Sequence, residues 1–291
     1  MAGIKELRQR IKSVGNIKQI TRAMEMVAST KLRRFQDRAI ASRPYSEEIA
    51  GLVARMSAAV GDSLEDTTLF EPGEGDRTLV LLMSSDRGLC GAYNTQLFRA
   101  LEEWLVDRDV SKHDFYVYGR KGAQYLSKRG RNVERFLTDP PMEQVDYANA
   151  TTTGRMLVRE FESGTYRDVY LVSTSFETMV RYVPRVVPFL PLSPDAIGGG
   201  EDRAPASDAI MEPNAQAIFE AIVPRYLETR IYNALLESLT SEYASRRFAM
   251  KNATDAADDM VKVLKSIYNR KRQEGITKEL LDIVGGTEAL K

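Results

Sequence analysis

The chain has 291 residues, 43% hydrophobic and 28% charged, with 41 Lys and Arg balanced by 41 Asp and Glu. That composition can bury a core in one large domain or two smaller ones. No run approaches the ~18 continuous apolar residues of a membrane span, and the N-terminus lacks the apolar core of a secretory signal. The single cysteine, Cys90, excludes an internal disulfide and an all-cysteine metal site, which suits a reducing compartment. The neutral total hides a polarity. Residues 1–43 hold 11 Lys and Arg against Glu6, Glu25 and Asp37, so this arm carries +8 and the remainder −8. Such an arm attracts an acidic partner, whether nucleic acid, a membrane surface or another protein.

Residues 3–58 contain no proline except Pro44. Ile4, Leu7, Ile11 and Val14 follow the three-four spacing of a heptad, and the apolar stripe then shifts to Ile17, Ile20, Met24 and Val27 before reaching Leu32, Phe35 and Ala39. This predicts a coiled-coil seam with a slipped register, on a helix roughly 84 Å long at ~1.5 Å per residue. Gly15 marks a locally flexible point in it.

From residue 76 to 190 the pattern changes. "TLVLLMS" (Thr78–Ser84), "FYVYG" (Phe115–Gly119) and "DVYLVSTS" (Asp168–Ser175) are short apolar runs rich in β-branched and aromatic residues, separated by helical stretches at Cys90–Asp107, Arg120–Arg129 and Ala150–Glu162. Alternating strands and helices predict a mostly parallel sheet in an α/β layer domain. Asn132–Leu137 is a weaker strand, and Pro184, Pro188 and Pro191 confine the following segment to a sheet edge or an extended exit. Residues 191–213, rich in Pro and Gly, predict a linker, and 214–286 a second long helix in which Pro224 imposes a kink or a late start. The apolar stripes of the two terminal helices need burial. An antiparallel coiled coil between them, with the α/β domain inserted, is the simplest solution.

Three chemistries compete for the functional residues. Cys90 follows a predicted strand on a glycine turn, as a nucleophile would, but the glycine expected two positions after it is Ala92. The only histidine, His113, precedes the second predicted strand, and strand starts and strand ends lie at opposite edges of a parallel sheet. Cys90 therefore reads as a buried structural thiol. Gly88 and Gly91 do not complete GxGxxG, no GxxxxGK[ST] occurs, and Asp258 and Asp259 read as solvated helix positions. No catalytic, cofactor-binding or metal-ligating residue is expected. The basic arm could bind nucleic acid, but only Phe35 and Tyr45 lie in or beside it for base stacking. Its acidic residues argue against a transit peptide, and a solvated helix face stays open.

Four blocks carry a resemblance: "ITRAMEMVASTKLRR" (Ile20–Arg34), "SDRGLCG" (Ser85–Gly91), "SEYASRRFAMKNATD" (Ser241–Asp255) and "YNRKRQEGITKELLDIVGG" (Tyr268–Gly286). In order and position they resemble the gamma subunit of F-type ATP synthases, bacterial type. The resemblance implies a coiled coil seated among three alpha and three beta subunits, and a Rossmann-like α/β body touching the epsilon subunit and the c-subunit ring. It implies a rotating, non-catalytic shaft that couples proton flow to ATP synthesis on beta, without cofactor or nucleic acid. Membrane association would come only through the complex, at the cytoplasmic face of the bacterial cell membrane.

The same resemblance implies partner contacts. Arg272 and Gln273 would meet a beta-subunit loop, although both also read as ordinary exposed helix residues. Arg87 would lie near the acidic lever of beta. Met24 would be a bearing surface, with a core filler as its alternative. "MEPNAQA" (Met211–Ala217) would approach the c-ring. Departures are Thr287, where the family usually has Ala, the absence of the paired-cysteine insertion of chloroplast members, and the absence of a leader before "MAGIKELRQRIKS". Outside the resemblance, a Cys90-dependent hydrolase and a nucleic-acid-binding or scaffold coiled coil stay open.

Overall fold

The computed structural model describes residues 2–60, 69–193 and 214–288. The chain divides into two units, Met1–Ser29 with Arg246–Lys291, and Thr30–Ser245. Most of the predicted linker, residues 194–213, lies outside the described residues.

The larger unit is built on a five-stranded sheet. Its elements are β1 (Arg77–Met83), α2 (Tyr93–Leu105), β2 (His113–Tyr118), α3 (Arg120–Ser127), β3 (Val133–Leu137), α4 (Tyr147–Glu162), β4 (Tyr166–Phe176) and β5 (Tyr182–Leu190). The strand order is β3-β2-β1-β4-β5. The first four strands are parallel, and β5 joins antiparallel at the edge. That edge is where Pro184 and Pro188 can lack an amide donor without breaking an internal ladder. β1 and β2 are the most buried strands, and Leu79 to Met83 of β1 are fully inaccessible because that strand lies at the centre of the sheet. Val80, Leu82, Leu97, Leu101, Val117 and Val172 form one packed cluster between sheet and helices.

Turn chemistry sets the connections. Gly119 has φ +89°, and a Cβ there would lie 2.0 Å from the Ser84 carbonyl oxygen, so only glycine lets β2 pass the end of β1 before entering α3. Asp146 opens α4 with a capping box: its side chain accepts the Asn149 amide at 2.9 Å, and the Asn149 side chain accepts the Asp146 amide at 3.2 Å.

Two long helices complete the structure: α1 (Ala2–Val60) and α5 (Ala215–Glu288). Neither Gly15 nor Pro44 interrupts α1, and Pro224 lies inside α5 without delaying its start. Asn214 caps α5 by accepting the Ala217 amide at 2.8 Å.

In the smaller unit the two helices pair antiparallel. Arg8 Nη2 donates to the Tyr268 hydroxyl at 3.0 Å, Lys18 Nζ to Asp258 Oδ1 at 2.5 Å, and Thr254 Oγ1 to Thr21 Oγ1 at 2.8 Å. The predicted slip of the seam does not occur. Within this unit burial on α1 recurs at Ile4, Leu7, Ile11, Val14, Lys18, Thr21, Glu25 and Ala28 without a break in the heptad, and in the larger unit Leu32 and Phe35 of the same helix are buried. Ile17, Ile20 and Val27, expected in the seam, are 52%, 59% and 56% exposed. The register carries through because Lys18 and Thr21, at inner positions, find partners across the pair, while the apolar residues beside them turn outward.

The seam's course predicts the cost of mutation. Ile20→Ser should change stability by no more than about 0.5 kcal/mol, as for an ordinary surface site. Leu32→Ala should cost about 2–5 kcal/mol. Urea unfolding that ranks them the other way would restore the slipped seam. Hydrogen bonds from Lys18 and Lys262 hold the Asp258 carboxyl at a pKa of about 2. Because this pKa is depressed, the pair's contribution is present above the ordinary value of 3.8 and is lost as pH falls toward 2. Carbon-13 titration of Asp258 should move upward in Lys18→Met; a parent midpoint near 3.8 would contradict the pairing.

Candidate functional site

In an α/β sheet of this order, ligands bind outside the carboxyl ends of the strands, at the point where successive connections leave in opposite directions. Here that point lies between β1 and β4, since the chain moves from β1 out to β3 and returns on the other side at β4. The crevice is already filled. Thr174, Ser238 and Ser241 meet there with no exposed surface, and Tyr93 is equally buried, its hydroxyl donating to the Met83 carbonyl at 3.3 Å. Burial pushes the Tyr93 hydroxyl far above its ordinary pKa. A helix of the same chain occupies the place a ligand would take.

The turn after β1 is stitched from within. Ser85 Oγ donates to the Arg87 carbonyl at 2.8 Å, and Asn94 Nδ2 donates to Ser85 Oγ at 2.6 Å and to Cys90 Sγ at 3.3 Å. Asp86 Oδ1 accepts the Arg120 amide at 3.1 Å, tying the turn to α3. Leu89 at φ 62° and Gly91 at φ 58° make the reversal, and Leu89 is the one non-glycine among the described residues in the left-handed region. This scaffold leaves Arg87 exposed at the tip and Cys90 only 3% exposed beneath it. His113 opens β2, at the opposite edge of the sheet from the β1 carboxyl end. Its Nδ1 lies 2.7 Å from the Asp109 carbonyl, and burial depresses its pKa. The thiol and the imidazole do not meet.

One cluster near Arg87 was not foreseen. Glu143, on a short turn after β3, is bonded by Lys31 of α1 and Tyr243 of α5. Phe35 stacks on Tyr243 with ring centroids 5.6 Å apart. Burial works against the Glu143 carboxylate, but the hydrogen bonds from Lys31 and Tyr243, with the positive field of Lys31 and Arg87, outweigh it and hold its pKa below the ordinary range. The carboxylate therefore clamps both long helices to the body and faces the Arg87 tip. Lys31 and Glu143 lie 112 positions apart in the chain, so no local pattern announces the pair.

The other candidate residues lie in the smaller unit. Met24 is half-buried on α1, and Arg272 and Gln273 are exposed on α5. With Arg8 facing Tyr268 and Thr21 facing Thr254, Met24 and Arg272 stand about 20 residues apart along the pair, roughly 30 Å at 1.5 Å per residue. They are separate contact points, not one site. Ile276, Leu280 and Leu281, on the final turns of α5, are each at least half exposed. Of "MEPNAQA", Met211 to Pro213 lie outside the described residues. Among the described residues no helix is long and apolar enough to cross a membrane, and no group of three or more His, Cys, Asp or Glu is placed to hold a metal ion.

The family model described as ATP synthase matches residues 3–290. The chain is 40% identical to an ATP synthase gamma chain of Mycobacterium tuberculosis, covering 99% of this chain and 98% of that one. It is 36% identical to one of Cytophaga hutchinsonii, covering 100% and 99%. Among solved structures, a chain of the Euglena gracilis mitochondrial ATP synthase OSCP/F1/c-ring assembly superposes with a TM-score of 0.68 at 19% identity, covering 99% of this chain and 95% of that one. A chain of the Tetrahymena thermophila central stalk and c-ring superposes with a TM-score of 0.59 at 23% identity, covering 80% and 99%. At those identities the superpositions speak for the fold.

The burial of Cys90 generates a direct check. In the native chain its thiol should react with a bulky disulfide reagent orders of magnitude more slowly than after unfolding in urea. Rapid stoichiometric labelling of the native chain would place the thiol at the surface.

Proposed function

The chain belongs to the ATP synthase gamma-chain family, and we infer that it is the central rotor shaft of a rotary ATP synthase, coupling ion-driven turning of a membrane ring to ATP synthesis on catalytic beta subunits. The observation that carries this reading is the outward apolar stripe of Ile17, Ile20 and Val27 on a helical pair whose own seam is already closed. Exposed apolar surface of this kind costs about 25 cal/mol per Å² in water and favours a surrounding partner. A shaft that turns inside its sleeve needs contact of this type, because apolar attraction is non-directional and does not lock at one angle.

On this reading residues 1–60 and 214–286 form the coiled-coil shaft, 76–190 the body and 191–213 the linker between them. The partners are three alpha and three beta subunits around the shaft, with the epsilon subunit and the c-subunit ring at the body. Met24 belongs to the bearing surface, Arg87 meets an acidic lever of beta, and Arg272 and Gln273 meet a beta-subunit loop. The protein is not itself an enzyme: the ligand crevice of its sheet is filled by α5, and the ATP sites belong to beta. It is peripheral at the cytoplasmic face of the bacterial cell membrane, which the identity to bacterial gamma chains supports.

Mixing the purified chain with alpha and beta subunits tests this. A complex of one copy to three and three, with ATPase activity that the chain alone lacks, is expected; failure to form it removes the rotor reading. In that complex the Arg272→Ala, Gln273→Ala double variant should lower ATPase activity several-fold at unchanged stoichiometry, as expected when polar contacts at an interface are truncated. Unchanged activity would withdraw both residues from the contact.

A further inference from the structure

The β1 ladder to β4 ends at the pair Leu82 and Val172, while β4 continues to Phe176. Above that level β4 pairs only with β5, and there Thr174 stands opposite Pro184, which has no amide to give. The Thr174 amide and carbonyl therefore turn toward the side that β1 has vacated, and Thr174 is fully buried. Orphaned backbone groups in such a place require partners.

α5 supplies them. The Thr174 amide donates to Ser238 Oγ at 3.2 Å, and Ser241 Oγ donates to the Thr174 carbonyl at 3.4 Å. One turn further, Ser245 Oγ donates to the Cys90 carbonyl at 2.6 Å and lies 2.9 Å from the Tyr182 hydroxyl. Two turns before Ser238, the Arg230 guanidinium donates to the carbonyls of Pro188 at 2.7 Å and Phe189 at 3.4 Å. At 3.6 residues per turn, positions 230, 238, 241 and 245 fall within an arc of about 80° on the helix. One face of α5 is thus bonded to backbone atoms of β4, β5 and the turn after β1.

Apolar packing holds a helix against a sheet but resists its rotation weakly, because the attraction has no preferred direction. Hydrogen bonds to backbone atoms fixed in a sheet do have one, and they weaken steeply off line. We infer that Ser238, Ser241, Ser245 and Arg230 key the rotational setting of α5 on the α/β body, so that torque reaching the body turns α5 instead of slipping past it. This rests on the rotor reading above and names the joint that reading requires. Ser238 and Ser241 are positioning residues; they touch no nucleotide.

The test uses the complete synthase in membrane vesicles, measuring ATP hydrolysis and ATP-driven ion pumping on the same preparation. The Ser238→Ala, Ser241→Ala double variant leaves the Thr174 amide and carbonyl without partners. It should keep hydrolysis near the parent rate while the ions pumped per ATP fall by about threefold or more. Phe161→Leu, which loosens α4 without touching the stripe, separates this from simple destabilisation: its pumping ratio should equal the parent's at a similar loss of melting temperature. If the double variant does not fold, Ser245→Ala with Arg230→Met, which leaves Thr174 satisfied, is measured in the same way and should also lower the ratio. A parental ratio in a folded, assembled stripe variant, or an equal fall in Phe161→Leu, overturns the joint. A parent chain that does not assemble or pump overturns the rotor reading itself, and the inference with it.

Discussion

The structure depends on where β1 stops. Had it continued beyond Met83, β4 would have been paired to its end and α5 would have met only a closed sheet surface. Because β1 turns away into the Ser84–Tyr93 reversal, Thr174 is left with a buried amide and carbonyl on its inner side. Unmet groups of this kind cost about 1–3 kcal/mol each, so the fold is stable only with a polar helix face seated at that level. The serines of α5 are small enough to come close and polar enough to satisfy the strand. The crevice that serves other α/β domains as a binding site becomes a joint here.

A second constraint acts on the helical pair. Its inner positions Lys18, Thr21 and Glu25 are polar, which lowers the apolar burial a coiled coil would otherwise gain. Lys18 bonds Asp258 and Thr21 bonds Thr254 across the seam, fixing register where hydrophobic contact would leave it free to slide. The apolar residues displaced by this arrangement face outward. The pairing and the outer surface are thus two consequences of one placement of polar residues. Glu143 acts in the same sense in the larger unit, accepting from Lys31 on α1 and Tyr243 on α5 with one carboxylate.

Much of this was legible in the sequence. The β-branched and aromatic runs at Thr78–Ser84, Phe115–Gly119 and Asp168–Ser175 correspond to β1, β2 and β4, and of the two places the prolines after residue 182 allow, a sheet edge or an extended exit, the chain takes the edge. These features are local, set by side chains that act on their own backbone. The seam was misread because hydrophobic pattern alone favoured Ile17, Ile20 and Val27 over Lys18, Thr21 and Glu25. Which of two adjacent stripes turns inward depends on partners more than 230 positions away. The bonding of Ser238 and Ser241 to Thr174 was hidden for the same reason, since a serine inside a helix signals nothing until the strand opposite it is known to end. Arg87 stands out in the sequence only through the family resemblance, and its proximity to Glu143 has no local signal at all.

The central claim is that body and shaft turn together inside a threefold sleeve. The chain offers a clean attachment point: with Cys90 buried, Lys128→Cys places the only accessible thiol on the exposed end of α3. A probe fixed there, on a complex immobilised through its alpha and beta subunits, should rotate in one direction when ATP is added and pause three times per turn. A probe that stays fixed or only fluctuates, while the same complexes hydrolyse ATP, would contradict the account.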